Sequence, residues 1–92
     1  MSDDLIHMDA PSGWEIEGKN VALVREFVFG DFSEAWGFVS RVALLAEVMN
    51  HHPEYTHSFS RVKFRLSTHD AGDVVTGNDH ALARAINKLA RS

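Results

Sequence analysis

The stretch MNHHPEYTHSFSRVKFRLS, residues 49–67, changes its period halfway along. Its first residues close a run of apolar positions at helical spacing, while Val62, Phe64 and Leu66 alternate strictly with Lys63, Arg65 and Ser67. Pro53 stands between the two regimes. Proline cannot donate to a helix ladder and disfavours helical geometry in the residue before it, so the helix is expected to stop just before Pro53. The alternation predicts a strand with one face inward. A shorter strand at Tyr55 to Phe59 and a hairpin turn near Ser60-Arg61 should precede it. His51 and His52 then sit at a helix exit, and His69 continues the outward parity at the strand's end.

Upstream, Asp31 with Glu34 three residues later is a variant of the capping box, and it starts the helix. Ala35, Phe38, Val39, Val42, Leu45, Ala46 and Met49 recur on one face, which belongs to a core. Trp36, Ser40, Ala43 and Glu47 share a neighbouring face, while Leu44 and Val48 fall outside both. This helix has more apolar surface than one sheet needs. Before it, residues 14–30 read as two strands joined through Gly18-Lys19-Asn20. In the second of them Val21, Leu23, Phe27 and Phe29 share one parity, which Arg25 interrupts. Residues 1–13 form a polar, flexible lead-in to a single domain over 14–92.

Downstream, residues 70–79 form a loop. Thr76 and Asp79 make a capping box for a last helix in which Leu82, Ala85, Ile86 and Leu89 point one way. The order strand, strand, helix, strand, strand, helix predicts an α+β fold: a four-stranded antiparallel sheet with the helices packed on one face in two layers.

Composition narrows the function. A chain of 92 residues has room for one core, and 45% hydrophobic with 24% charged residues is the balance of a folded domain. With no cysteine, disulfides, thiolate metal sites and thiol nucleophiles are excluded. A formal charge of −4 with scattered Lys and Arg argues against nucleic-acid binding. The acidic start, MSDDLIHMDAPSGW, and the lack of a long apolar stretch predict neither export signal nor membrane span, and a cytoplasmic location is the expectation.

Histidine is the residue type left to carry chemistry. Taken alone, a His-His-Pro triplet is more often an ordinary helix exit than a site. Its meaning changes if the helix exit carrying His51 and His52 meets the strand end carrying His69. Imidazole titrates near neutral pH, so one ring can donate a proton while another accepts, as the addition or elimination of water requires. Zinc is the rival reading. Glu47, His51, His52, His57 and His69 are possible ligands, but their spacing matches no standard signature, so no metal is expected. No GxSxG-like elbow presents a serine. His7 and His80 read as solvated bystanders.

Glu47, His51-His52-Pro53, Phe59, His69 and Asp79, in that spacing, resemble the signature of the pterin-4a-carbinolamine dehydratases. The likeness extends upstream through Trp14, Arg25, Phe27, Phe29, Phe32, Ala35, Phe38, Val42 and Ala46. It implies the same sheet-and-helix fold, a hydro-lyase, and loss of water from 4a-hydroxytetrahydropterin to give quinonoid dihydropterin in tetrahydrobiopterin recycling, with no cofactor. By position, His51, His52, His69 and Glu47 become the catalytic candidates. His51 and His69 would exchange protons with the substrate, His52 would bind and orient the ring, and Glu47 would orient or charge-stabilise a histidine. His52, Pro53, Phe59, Thr68 and Asp70 are the substrate-binding candidates. Among these, Phe59 is either an aromatic wall or a core residue, Pro53 fixes the chain after the histidine pair, and Thr68 and Asp70 flank His69 and are candidates to settle its tautomer or to support the strand end. Asp79 is expected to cap the last helix without touching substrate.

The chain departs from the family pattern at Gly72-Asp73, where a Gly-Gly turn is common, and in a segment one residue longer before Asp79. Phe59 and Ser60 replace the more usual Tyr or Trp and Asn. The resemblance also implies a homodimer or homotetramer, which Trp36, Leu44 and Val48 suit. Some relatives serve as a dimerisation cofactor of a homeodomain transcription factor, so a non-catalytic protein-binding module is the alternative function.

Overall fold

The computed structural model describes residues 9–91. Strands β1 (Glu15–Glu17), β2 (Ala22–Val28), β3 (Glu54–Ser58) and β4 (Arg61–Leu66) form one antiparallel sheet in the order β1-β2-β4-β3. Helix α1 (Phe32–Met49) connects β2 to β3, and helix α2 (Gly77–Ala90) follows β4. The expected architecture is the one observed.

The sheet's inner face is made by residues of one parity. Leu23 pairs with Leu66 and Phe27 with Val62 across β2 and β4, and all four are buried. Helix α1 lays Ala35, Phe38, Val39, Val42 and Ala46 against them, with Leu45 and Met49 at the margin. Phe38 centres an aromatic cluster, its ring centroid 5.0 Å from Phe27 and 6.0 Å from Phe64. Burying a side chain of that size contributes about 2 kcal/mol or more. The sheet's outer face carries charge, as a half-solvated antiparallel sheet should. There the Arg65 guanidinium bonds Glu17 at 2.8 Å and holds its carboxyl below the usual range.

Arg25, which broke the apolar series of β2, belongs on the inner parity after all. Its guanidinium lies 4.3 Å above the Phe27 ring and donates to Asn87 Oδ1 at 2.6 Å. The same oxygen accepts from Trp14 Nε1 at 2.8 Å, and Asn87 Nδ2 donates to the carbonyl of Ser12 at 2.9 Å. The last residues counted with the lead-in are therefore tied to α2. His7 lies outside the described residues.

Three local expectations are corrected. Helix α1 ends at Asn50, three residues before Pro53. Asn50 adopts φ 52°, its N–H bonds Glu47 O at 3.2 Å, and His51 N–H reaches Ala46 O at 3.1 Å. These are the two bonds of a Schellman motif, and asparagine tolerates its left-handed position better than most residues. The hairpin turn is Phe59-Ser60, one residue earlier than expected, with Phe59 at φ 48°. His69 does not extend the strand, because β4 stops at Leu66 and His69 opens a 3-10 turn, His69–Ala71.

Candidate functional site

The site forms where three chain segments end at one edge of the molecule. The Schellman turn delivers His51 and His52. The end of β4 and the 3-10 turn deliver Thr68, His69 and Asp70. The N-terminus of α2 delivers Asp79. The Thr68 hydroxyl, bonded to Asp79 Oδ2 and to Thr76 Oγ1 at 2.7 Å each, holds the second and third segments together, and Val75 N–H ties the loop between them to Asn20 O at 3.0 Å.

His51, His52, Thr68, His69 and Asp70 line one hollow of about 210 Å³, floored in part by Asn50. That is smaller than the ~300 to 1,000 Å³ typical of drug-sized ligands, and it suits a small heterocycle. Beside it, and sharing His52, runs an apolar groove of about 220 Å³ between α1 and the edge strand β3, lined by Val39, Tyr55, Phe64, Pro53 and Glu47.

Each of these histidines meets a carboxylate. His51 Nε2 donates to Asp79 Oδ1 at 2.5 Å, in a pair whose side chains are 14% and 0% exposed. His52 Nε2 meets Glu47 Oε2 at 2.5 Å, with both side chains more than half exposed. His69 Nδ1 meets Asp73 Oδ1 at 2.5 Å, also in the open. An ionised carboxylate only accepts, so in each pair the bonded ring nitrogen carries the proton and the other nitrogen is left for a substrate. The buried pair is the rigid one. Asp79 Oδ2 also accepts from Thr68 Oγ1 at 2.7 Å and from Thr76 N–H at 2.8 Å, which completes the capping box of α2. One carboxylate thus starts the helix and fixes the tautomer of His51. Removing the ring would strand the buried Asp79 charge, at a cost on the order of 3 to 5 kcal/mol, whereas exposed pairs are worth ~1 kcal/mol or less.

The structure brings together His51, His52, His69, Thr68 and Asp70. Glu47 and Pro53 stand next to them in the groove. It does not bring Phe59. That ring is 67% exposed at the hairpin tip, so it belongs neither to the core nor to the hollow, and five strand residues put it roughly 17 Å from the histidine end. Tyr55 and Pro53 supply the apolar wall instead. Thr68 bonds Asp79, and the residue that accepts the hydrogen bond of His69 Nδ1 is Asp73, not its neighbour Asp70. His57, weighed as a zinc ligand, stacks on Phe32 with ring centroids 4.8 Å apart and donates from Nε2 to Phe59 O. Among the described residues no three His, Asp or Glu side chains gather in a metal-holding group.

His80 overturns its reading as a solvated bystander. It is 1% exposed, its Nδ1 has no partner, and burial, with Arg84 nearby, holds its imidazole below the usual value against the opposing pull of Asp79. The Asn50 turn was readable in principle, since asparagine after an apolar helical run is a left-handed cap signal. The pairings of Asp79 and Asp73 had no sequence signal.

Comparison with known proteins gives a consistent picture. The family model described as "Pterin 4 alpha carbinolamine dehydratase" matches residues 2–89. Two relatives carry the name "Putative pterin-4-alpha-carbinolamine dehydratase". The one from Rhodospirillum rubrum is 49% identical over 76 residues, 83% of this chain and 78% of the relative. The one from Rhodopseudomonas palustris strain HaA2 is 51% identical over 80 residues, 86% of this chain and 77% of the relative. A crystal structure from Brucella melitensis, titled transcriptional coactivator/pterin dehydratase, superposes with a TM-score of 0.80 at 40% identity, covering 86% of this chain and 83% of that one. A pterin dehydratase-like protein identified as a RuBisCO assembly factor in the alpha-carboxysome superposes at 0.73 with 26% identity, over 87% and 92% of the two chains. Among the described residues, no helix is long and apolar enough to cross a membrane.

Proposed function

From the premise that this chain belongs to the pterin 4 alpha carbinolamine dehydratase family, we propose that it removes water from a 4a-hydroxytetrahydropterin by general acid and base catalysis on its histidines. One ring of the pair His51 and His69, entering the reaction as imidazolium, gives the proton of its other nitrogen to the 4a hydroxyl, and the C4a–O bond breaks with release of water. The N5 lone pair closes a C4a=N5 double bond, and the other ring takes the N5 proton. The products are quinonoid dihydropterin and water, and the enzyme ends with the proton count it began with. His52, paired with Glu47 at the boundary of hollow and groove, binds and orients the bicyclic ring. Tyr55 and Pro53 offer it an apolar wall. Recycling of a reduced pterin cofactor is the setting in which this reaction has use.

The observation that carries this reading is the shared hollow of His51, His52 and His69. A spectrophotometric dehydration assay on a synthetic 4a-hydroxytetrahydropterin tests it. His51→Ala and His69→Ala should each lower turnover by ~100-fold or more, the usual scale for losing a positioned acid or base. His52→Ala should act mainly on KM. A wild-type rate no faster than buffer would end the proposal.

A second reading draws on the exposed side of α1, where Leu44 is 70% and Val48 is 84% exposed. Large apolar side chains left in water favour association. Self-association through this face, or a non-catalytic protein-binding role, would use it. Leu44→Lys should lower the mass seen in gel filtration if copies of the chain meet there. The protein-binding role alone would survive loss of the histidines.

A further inference from the structure

Packing does little to orient His69, whose side chain is 74% exposed. What stands beside it is a short, well-bonded loop. Thr68 N–H bonds Val74 O at 2.9 Å, Asp73 N–H bonds Thr68 O at 3.1 Å, and Gly72 N–H bonds His69 O at 3.0 Å. Two successive residues, Gly72 at φ 89° and Asp73 at φ 60°, take the left-handed conformation that returns the chain toward His69. Glycine adopts that geometry freely, while a residue with a Cβ does so at a cost, even though aspartate tolerates it better than most. Backbone geometry alone would be better served by glycine at position 73. The side chain found there instead accepts from His69 Nδ1 at 2.5 Å.

We propose that Asp73 is a positioning residue for His69. It holds the proton on Nδ1 and so leaves the Nε2 lone pair for the reacting proton, the acceptor role within the dehydration proposed above, on which this inference rests. An exposed pair of this kind stabilises the fold little. Choosing between two tautomers of a neutral ring needs only a small bias, and second-shell carboxylates commonly supply it.

The test pairs two variants with two readouts. At alkaline pH, where the rings are neutral, long-range nitrogen-15 NMR of the free protein reports which nitrogen of His69 is protonated. Wild type should show Nδ1–H. Asp73→Gly should move toward the Nε2–H form that free histidine favours in water. Asp73→Asn, whose amide oxygen still accepts, should keep the wild-type tautomer. Asp73→Gly should lose roughly 10-fold in turnover with KM little changed, and Asp73→Asn should recover most of that loss. Asp73→Gly should also melt at a higher temperature than wild type, because the left-handed residue is relieved, and a general folding defect cannot then explain its lower turnover. A wild-type His69 protonated on Nε2, an unchanged tautomer in Asp73→Gly, or full turnover despite a changed one overturns the inference. If wild type does not dehydrate the pterin but the tautomer switches as expected, the dehydratase reading fails and the hold of Asp73 on the ring stands.

Discussion

Of the polar side chains that helix α2 buries, Asp79 and Asn87 lie eight residues and about 12 Å apart along its axis. Both obey the same rule, that a polar group withdrawn from water must find partners. Their partners differ in kind. Asn87 is engaged by Trp14 Nε1, Arg25 and the Ser12 carbonyl, all of them parts of the fold itself. Asp79 is engaged by Thr68, Thr76 and His51, and the last of these carries a second ring nitrogen and lines the hollow. The first cluster is closed and serves stability. The second is open at one end, where hydrogen bonding that caps a helix also orients a ring for chemistry.

The sharpest way to break this contrast is to damage each cluster in turn. Asn87→Ala removes the acceptor of Trp14 Nε1–H and one of the bonds of both the Arg25 guanidinium and the Ser12 carbonyl, which still bond each other at 3.2 Å. It should cost ~2 to 4 kcal/mol in urea unfolding, with turnover per folded molecule unchanged. Asp79→Asn should do the reverse in emphasis. Its amide has one acceptor oxygen, which cannot serve both Thr76 N–H and His51 Nε2–H, so turnover should fall ~10- to 100-fold with a smaller loss of stability. Equal effects of both variants on turnover would erase the distinction.

His80, next to Asp79 but not drawn into its network, should give a smaller, pH-dependent effect. Its imidazole is held below 6.5, its ordinary value, in the folded chain, chiefly by burial. The unfolded chain therefore binds the proton first as the pH drops. The contribution is fully present above about 6.5 and declines as the pH falls toward the folded value. Unfolding midpoints measured at pH near 7.5 and near 5.5 should differ more in wild type than in His80→Gln. The smallest effect is expected at the hairpin tip. Phe59→Gly relieves a left-handed phenylalanine that touches neither core nor hollow, and it should stabilise by ~0.5 to 1 kcal/mol without changing turnover.

Much of this was legible beforehand, and the residues show why. Phe38 and Val42, Val62 and Leu66, and Thr76 and Asp79 announce themselves through spacing, because helix and strand periods are imposed by local backbone geometry. Arg25 looked like a flaw in its strand. It sits there because Asn87, 62 residues away, accepts its hydrogen bond. His80 read as a solvated bystander. Its burial depends on how α2 leans on the sheet, which no local pattern encodes. Phe59 matched an aromatic position of the family signature, but the register of β3 and β4 turns it out at the hairpin tip.

By itself the chain's order of residues determined the alternation of strands and helices, the inner and outer faces, the N-caps of both helices and the set of histidines worth watching. These follow from interactions within a few residues, where geometry is nearly fixed. Which carboxylate meets His51 was decided only when the end of α1, the end of β4 and the start of α2 packed against one another. A hydrogen bond reaches about 3 Å, and only the tertiary fold brings groups 28 residues apart, such as His51 and Asp79, within that distance.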